Sequence, residues 1–278
     1  MILSYFQVDE LIAAWDAERE RATVSLDLGL TTDEVVLSAV GVRFPDGQAL
    51  TWAQLDEIRS SERGCFLVED GEIEKVQFFS EASNLLYSLM PTEGAPTMLV
   101  SGIPMHRIKG IDPYHDTLRK VATIKPIVGR VLDTATGLGY TAIEAARTAE
   151  RVITVEIEPM ALAVARCNPW SRALFDHPRI TQIVGDVYDE IEAFEDASFD
   201  RVIHDPPAFS LAGDLYAGDF YRQLRRVLKP GGRLFHYIGD LESRSGRSVS
   251  RGVVRRLKDA GFRRVSRCPG AFGVAAYR

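Results

Sequence analysis

One stretch, Val131-Leu-Asp-Thr-Ala-Thr-Gly-Leu-Gly-Tyr-Thr-Ala-Ile-Glu-Ala-Ala146, limits the fold more than any other. It reads as a buried strand (130–134), a turn carrying Gly137 and Gly139, and a helix from Tyr140. Such a unit aims backbone N–H groups and a helix N-terminus at one point, which suits an anionic or strongly polar ligand. The two glycines allow positive φ and a close backbone approach. A dinucleotide fingerprint needs a third glycine three residues after the second, and Ala142 stands there instead. A nicotinamide dehydrogenase is disfavoured on that ground.

From residue 129 the pattern alternates strand and helix, as in a doubly wound parallel sheet. The spacing predicts strands at 129–134, 151–156, 179–184, 200–205, 232–238, 262–267 and 271–277. Helices are predicted near 140–149, 158–167, 187–193, 219–228 and 248–260. Too few residues separate the last two strands for a parallel crossover, so they form an antiparallel hairpin. The fold class is therefore α/β, a seven-stranded sheet with its last strand antiparallel.

Residues 1–105 differ. Residues 2–20 read as an amphipathic helix and 51–60 as a second, shorter one. Ala22–Leu28 alternates as a half-buried strand, and Asp46-Gly47 and Asp70-Gly71 each lie between apolar runs, a strong hairpin signal. This is a small β-rich α+β domain with no catalytic spacing, followed by a bridge at 106–126 and the larger domain at 127–278. His106, Arg107 and Lys120 in the bridge are either polar connectors or contacts to a bound molecule.

Charge divides along the same line. Residues 1–105 hold 18 acids and 6 bases, a balance of −12, and residues 106–278 hold 21 acids and 27 bases, a balance of +6. Most of the excess lies in 243–267, with eight arginines and Lys258 against Asp259 alone. Either these arginines contact RNA phosphates, or they pair with the acidic domain, within the chain or across a homodimer. No apolar run approaches the length of a membrane span and no basic leader is present, so a cytoplasmic protein is expected. Cys65, Cys167 and Cys268 lack disulfide or metal spacing, and no metal is expected.

Open α/β sheets bind ligands beyond the carboxyl ends of their strands. The first strand delivers Asp133 and the loop Thr134, Ala135, Thr136, Gly137, Gly139, Tyr140. The second ends in Glu156-Ile157, where an acid suits a ribose diol. The third ends in Gly185-Asp186-Val187, with a carboxylate and a backbone N–H for an adenine. The fourth ends in His204-Asp205-Pro206-Pro207-Ala208-Phe209. Two prolines end a central strand, fixing the Asp205 carboxylate and exposing carbonyls. His204 and His236 are either packing residues or a proton acceptor. Tyr216, Tyr221 and His236, with Arg244 and Arg247, are candidate acceptor contacts.

An acid four residues before Gly-x-Gly resembles the first motif of class I S-adenosylmethionine (SAM) dependent methyltransferases, whose sheet has seven strands and a terminal hairpin. Asp205-Pro-Pro-Ala-Phe209 resembles the Asp/Asn-Pro-Pro-x-aromatic loop of those acting on planar amino nitrogens. The runs 131–146, 204–217 and 234–240 resemble an uncharacterised family of predicted archaeal methyltransferases. That resemblance implies SAM at Asp133, Gly137, Gly139, Glu156 and Asp186, with catalysis at 205–209. It implies methyl transfer to a planar nitrogen of a macromolecule, RNA ahead of protein, with Asp205 and the Pro206 carbonyl gripping the amino group and Phe209 stacking on it. The rival expectations are an aminopropyltransferase using decarboxylated SAM and a catalytically silent SAM- or RNA-binding scaffold.

Overall fold

The computed structural model describes residues 1–207 and 212–278, with the side chains of Arg244 and Ser245 also outside the description. The chain divides into two compact units. One comprises Met1–Tyr114 with Met160–Arg172, and the other His115–Pro159 with Ala173–Arg278. The division falls at Tyr114 rather than at residue 105. The helix Pro159–Cys167, expected in the larger domain, has all but its first residue in the first unit.

The second unit is built on a seven-stranded sheet. Numbered along the chain within it, its strands are β1 (Arg130–Asp133), β2 (Arg151–Glu156), β3 (Ile180–Val184), β4 (Phe199–His204), β5 (Leu228–Tyr237), β6 (Arg263–Cys268) and β7 (Gly273–Tyr277). The order is β3-β2-β1-β4-β5-β7-β6. Neighbours are parallel except where β7 pairs with β5 and β6. β1, β2 and β4 lie inside the sheet, away from its edges, where their apolar runs suit burial on both faces. Val131, Leu132, Val152, Val155, Val202 and Ile203 are all shut off from solvent. The helix Gly218–Val227 adds Phe220, Tyr221, Leu224 and Val227 to that core, and the helix Arg244–Asp259 adds Val253 and Leu257. The chain turns outward in both directions from β1 and β4, so the strand order reverses between them, at the end where such sheets hold ligands.

Two expectations need correction. Lys229-Pro-Gly-Gly falls between the helix expected at 219–228 and the strand expected at 232–238. It lies within β5, where Leu228 pairs with Phe199 and Arg233 with Arg201, so the intervening residues bulge opposite Asp200. The last helix starts at Arg244 rather than at 248. Ser243 caps it, its Oγ accepting the Gly246 N–H at 3.0 Å, which draws the polar 244–247 stretch into the helix.

The first unit holds the helices Tyr5–Asp16 and Trp52–Arg59 among three small antiparallel sheets. Phe66–Glu69 and Glu72–Lys75 pair across Asp70 (φ 52°) and Gly71 (φ 79°), the two left-handed residues of a tight hairpin turn. Gly41 lies in the strand Gly41–Arg43 with φ +148°, and a Cβ there would fall 2.0 Å from the Leu50 carbonyl oxygen. Gly41→Ala is expected to cost roughly 2–3 kcal/mol, read as a lower urea midpoint. An unchanged midpoint would mean that the strand pair yields there. Among the described residues no helix is long and apolar enough to cross a membrane.

Candidate active site

The carboxyl ends of β1, β2 and β4 bring together three carboxylates, Asp133 buried and Glu156 and Asp205 half-buried. Asp133 closes β1 and is fully buried. Its Oδ2 accepts hydroxyl hydrogen bonds from Thr154 at 2.9 Å and Thr141 at 3.2 Å. Thr154 spends its hydrogen on Asp133, so the 2.6 Å contact between Thr136 and Thr154 has the Thr136 hydroxyl donating. Oδ1 of Asp133 has no protein partner among the described residues. Burial pushes its carboxyl well above the usual range, the Thr154 hydroxyl pulls the other way, and the Asp205 charge adds to the rise.

The turn after β1 is held by the Thr136 N–H on the Val155 carbonyl (3.0 Å) and the Gly139 N–H on the Thr136 carbonyl (2.7 Å). The two glycines do different things. A Cβ on Gly139 (φ 78°) would lie 2.7 Å from a Leu174 methyl, so Gly139 lets the turn pack. A Cβ on Gly137 (φ 51°) would meet nothing within 4 Å, so Gly137 borders open space. Glu156 faces that turn, with Oε2 accepting the Gly137 N–H at 2.8 Å and Oε1 the Glu158 N–H at 3.1 Å. Burial raises its carboxyl above the ordinary value, against the pull of those two N–H groups.

Gly185 follows β3, and its N–H reaches the Glu156 carbonyl at 2.9 Å. Asp186 is exposed and caps the short helix Val187–Glu190 by accepting the Tyr188 N–H at 2.8 Å. Ile157 is 64% exposed beside Glu156, an apolar surface left in solvent.

At the end of β4 the half-buried Asp205 makes the contact that most alters the chemistry. Its Oδ2 receives the Lys120 ammonium at 2.7 Å, and Lys120 also reaches Asp116 Oδ2 at 3.1 Å. Lys120 is 3% exposed and lies 4.5 Å from the centre of the Tyr237 ring. Burial alone would lower the Lys120 pKa, but Asp205 and Asp116 more than offset this and hold it above the usual lysine range. Burial raises the Asp205 carboxyl against the opposing pull of Lys120. The Pro207 carbonyl is taken by the Tyr216 hydroxyl at 3.1 Å. Asp205 Oδ1 and the Pro206 carbonyl receive no donor from the described residues.

Sequence reading undervalued Lys120 and missed Asp116 and Tyr237. An i, i+4 acid–lysine pair on the helix Pro113–Ala122 was a visible signal for the first two. Tyr237 becomes legible only through the β4–β5 register, in which His204 pairs with His236 and so sets Tyr237 beside Asp205. His106, from the same bridge, is taken up by a 3.0 Å contact of its Nδ1 with the Thr97 hydroxyl.

Three candidate acceptor contacts are corrected. Tyr216, Tyr221 and His236 are core side chains at 1%, 0% and 0% exposure, so they offer an acceptor no wall. Tyr221 spends its hydroxyl on His236 Nε2 at 2.8 Å. His204 is equally buried, with its Nδ1 2.6 Å from the Thr134 hydroxyl and its Nε2 2.9 Å from the Leu215 carbonyl. A neutral ring fits both contacts, accepting from Thr134 and donating to Leu215. Burial pushes the His204 pKa down to about 4, and burial with the neighbouring His204 holds His236 well below the usual value. With both nitrogens engaged, His204 has none left for a reacting proton. Phe209 lies outside the described residues, as does the side chain of Arg244. Arg247 is exposed.

Residues 131–232 match a family described as a methyltransferase domain. The uncharacterised protein MJ1233 of Methanocaldococcus jannaschii is 42% identical over 95% of this chain and 91% of its own length. The chain belongs to that archaeal protein's family. A polyamine aminopropyltransferase of Aeropyrum pernix is 26% identical over 73% of this chain and 57% of its own length. Putrescine N-methyltransferase 4 of Nicotiana tabacum is 29% identical over 49% of this chain and 36% of its own. The chain thus spans little more than half of the first of these enzymes and about a third of the second. Among solved structures, spermidine synthase from Thermotoga maritima superposes with a TM-score of 0.58 at 19% identity, over 76% of this chain and 77% of that one. That likeness is one of fold.

Proposed function

We propose that this chain transfers the methyl group of SAM to an amino nitrogen held by Asp205 Oδ1 and the Pro206 carbonyl. The observation that carries this reading is the division of labour at the end of β4. Lys120 occupies one Asp205 oxygen and Tyr216 the Pro207 carbonyl, leaving two adjacent acceptors without a donor among the described residues.

The residues present fit SAM. Glu156 would take the ribose diol, Asp186 and the Val187 N–H the adenine edge, and Ile157 the adenine face. Asp133 Oδ1, buried and without a protein partner, would take the methionine ammonium, and the open space at Gly137 leaves room for the chain between them. Bound SAM supplies a methyl group on sulfonium sulfur, a leaving group that needs no acid. What remains for the protein is to place the acceptor nitrogen in line and to direct its lone pair. N–H hydrogen bonds to Asp205 and Pro206 would do both. The proton shed by the methylated nitrogen would pass to water, since both nitrogens of His204 are engaged.

Lys120 bears on the acceptor's charge. An aliphatic amine arrives as a cation and would compete with a lysine ammonium for the same carboxylate. A planar amino group is neutral at pH 7 and makes no such demand, which supports a base or amide nitrogen of a macromolecule, with RNA ahead of protein. The second reading is aminopropyl transfer from decarboxylated SAM to a polyamine. The relatives named for polyamine and putrescine chemistry support it, as does the formal negative charge left when Lys120 is set against both Asp116 and Asp205.

The test incubates the protein with methyl-labelled SAM and, in separate tubes, total RNA, total protein, putrescine and spermidine, with a parallel set in decarboxylated SAM. Label that nuclease releases is the expected result. An aminopropylated polyamine formed from decarboxylated SAM, with no methyl transferred in any tube, would replace the first reading by the second.

Donor binding gives a separate check at Asp133→Asn. The native Asp133 pKa is raised, so its burial costs nothing below the ordinary aspartate pKa, and the cost grows as pH rises toward the native value. The asparagine variant is therefore expected to be more stable than the parent at pH 7, on the order of 2 kcal/mol, and no more stable at pH 3. Its SAM affinity should fall about 10- to 100-fold. Urea unfolding at the two pH values and calorimetric titration with SAM measure these effects, and unchanged affinity would remove Asp133 from the donor site.

A further inference from the structure

The helix Arg244–Asp259 carries a row of charge that the transfer chemistry does not use. Arg247, Arg251 and Arg255 recur every fourth residue and so share one face. All three are exposed, and no acid or carbonyl among the described residues engages them. Their neighbours behave differently. Arg256 donates to the Tyr216 carbonyl at 2.8 Å, and Arg267 to the Leu241 carbonyl and Glu242. Like charges one turn apart repel, and Asp259 at the far end is the helix's one acid. The row therefore returns nothing to the fold.

A groove of about 520 Å³ runs along this face, lined by Ser248, Val249, Arg251, Gly252, Arg255 and Arg256. It exists because Ser248 and Gly252 carry so little. A Cβ on Gly252 would come within 3.1 Å of the Arg256 guanidinium. β6, against which the helix packs, is an edge strand of the sheet and also carries two exposed arginines, Arg263 and Arg264.

We infer that this face docks the sugar–phosphate backbone of a single-stranded nucleic acid. Arginine supplies all but one of the cations in 243–267, and its planar fork matches phosphate oxygens two at a time, as lysine does not. Four helical residues advance about 6 Å, the scale on which phosphates repeat along a strand. The helix begins just beyond the carboxyl end of β5, the end of the sheet that holds Asp205, so a strand lying on this face is led toward that site. The docking inference stands apart from the methyl-transfer reading, because binding is measured without any donor.

The test is fluorescence anisotropy of a labelled single-stranded RNA 20-mer against the full chain across a salt series. A variant carrying Arg247→Gln, Arg251→Gln and Arg255→Gln and one carrying Lys at the same three positions are compared, with melting temperatures confirming that both fold. The parent is expected to bind, with log affinity falling linearly in log salt. The glutamine variant should bind at least tenfold more weakly, with a salt slope reduced by about 2. The lysine variant should keep the slope and lose part of the affinity. No binding by the parent at low salt, an unchanged slope in the glutamine variant, or equal binding of a polyglutamate chain would each overturn the inference.

Discussion

Asp205→Asn is expected to lower the turnover number of the transfer reaction about tenfold, the difference between a charged and a neutral acceptor, while leaving SAM affinity within a few-fold of the parent. The substitution keeps the shape of the end of β4 but places an uncharged amide where an acceptor N–H would donate to a carboxylate. The Lys120 ammonium loses the charge of its 2.7 Å partner and keeps that of Asp116. The pH profile supplies a second readout. Burial holds the Asp205 carboxyl above the ordinary aspartate range, so the parent's rate should fall on the acid side with an apparent pKa above that range. The residual rate of the variant should lack that limb. A single-turnover rate equal to the parent's would move the acceptor grip away from Asp205.

Lys120→Met is expected to be the most destabilising of these substitutions, at about 3–5 kcal/mol near neutral pH. Methionine fills the volume and leaves Asp116 and Asp205 facing each other without a cation, and removing one partner of a buried pair costs more than the pair contributes. The loss should shrink as pH falls, since protonation of Asp205, already raised by burial, removes the repulsion. The double variant Lys120→Met, Asp116→Asn should recover part of the stability, because it removes one of the two stranded charges. Guanidinium unfolding at pH 5 and pH 8 measures both effects. Equal destabilisation at the two pH values would show that Lys120 acts through packing and not through charge.

Much of the second unit was legible in the sequence for physical reasons. Strands buried on both faces must be apolar throughout, which is how β1, β2 and β4 announced themselves, and the short link between β6 and β7 admitted only an antiparallel pair. The strand-end acids could be placed because the carboxyl ends of a parallel sheet face one way. What the sequence concealed were contacts made across it. Lys120 reaches Asp205 over 85 positions of chain, and nothing in either neighbourhood marks the other. His236 could be set near the site by its strand, and Tyr216 and Tyr221 by following the loop after β4, but whether a side chain faces a cleft or the core depends on packing that the alternation of a helix or strand leaves open. The start of the last helix was misplaced because serine and glycine read as a loop, while Ser243 in the cap position outweighs their weak helix propensity.

The way the two units share the chain governs the order in which they can be made. The first unit's contacts include Met160–Arg172, encoded after β1 and β2 of the second. A ribosome will therefore have released two interior strands of one body before the last piece of the other exists. Residues 1–114 by themselves lack the Met160–Arg172 part of their unit, and residues 115–278 carry that segment within their span. A break in the chain after Tyr114 would therefore part residues 1–114 from a segment of their own unit.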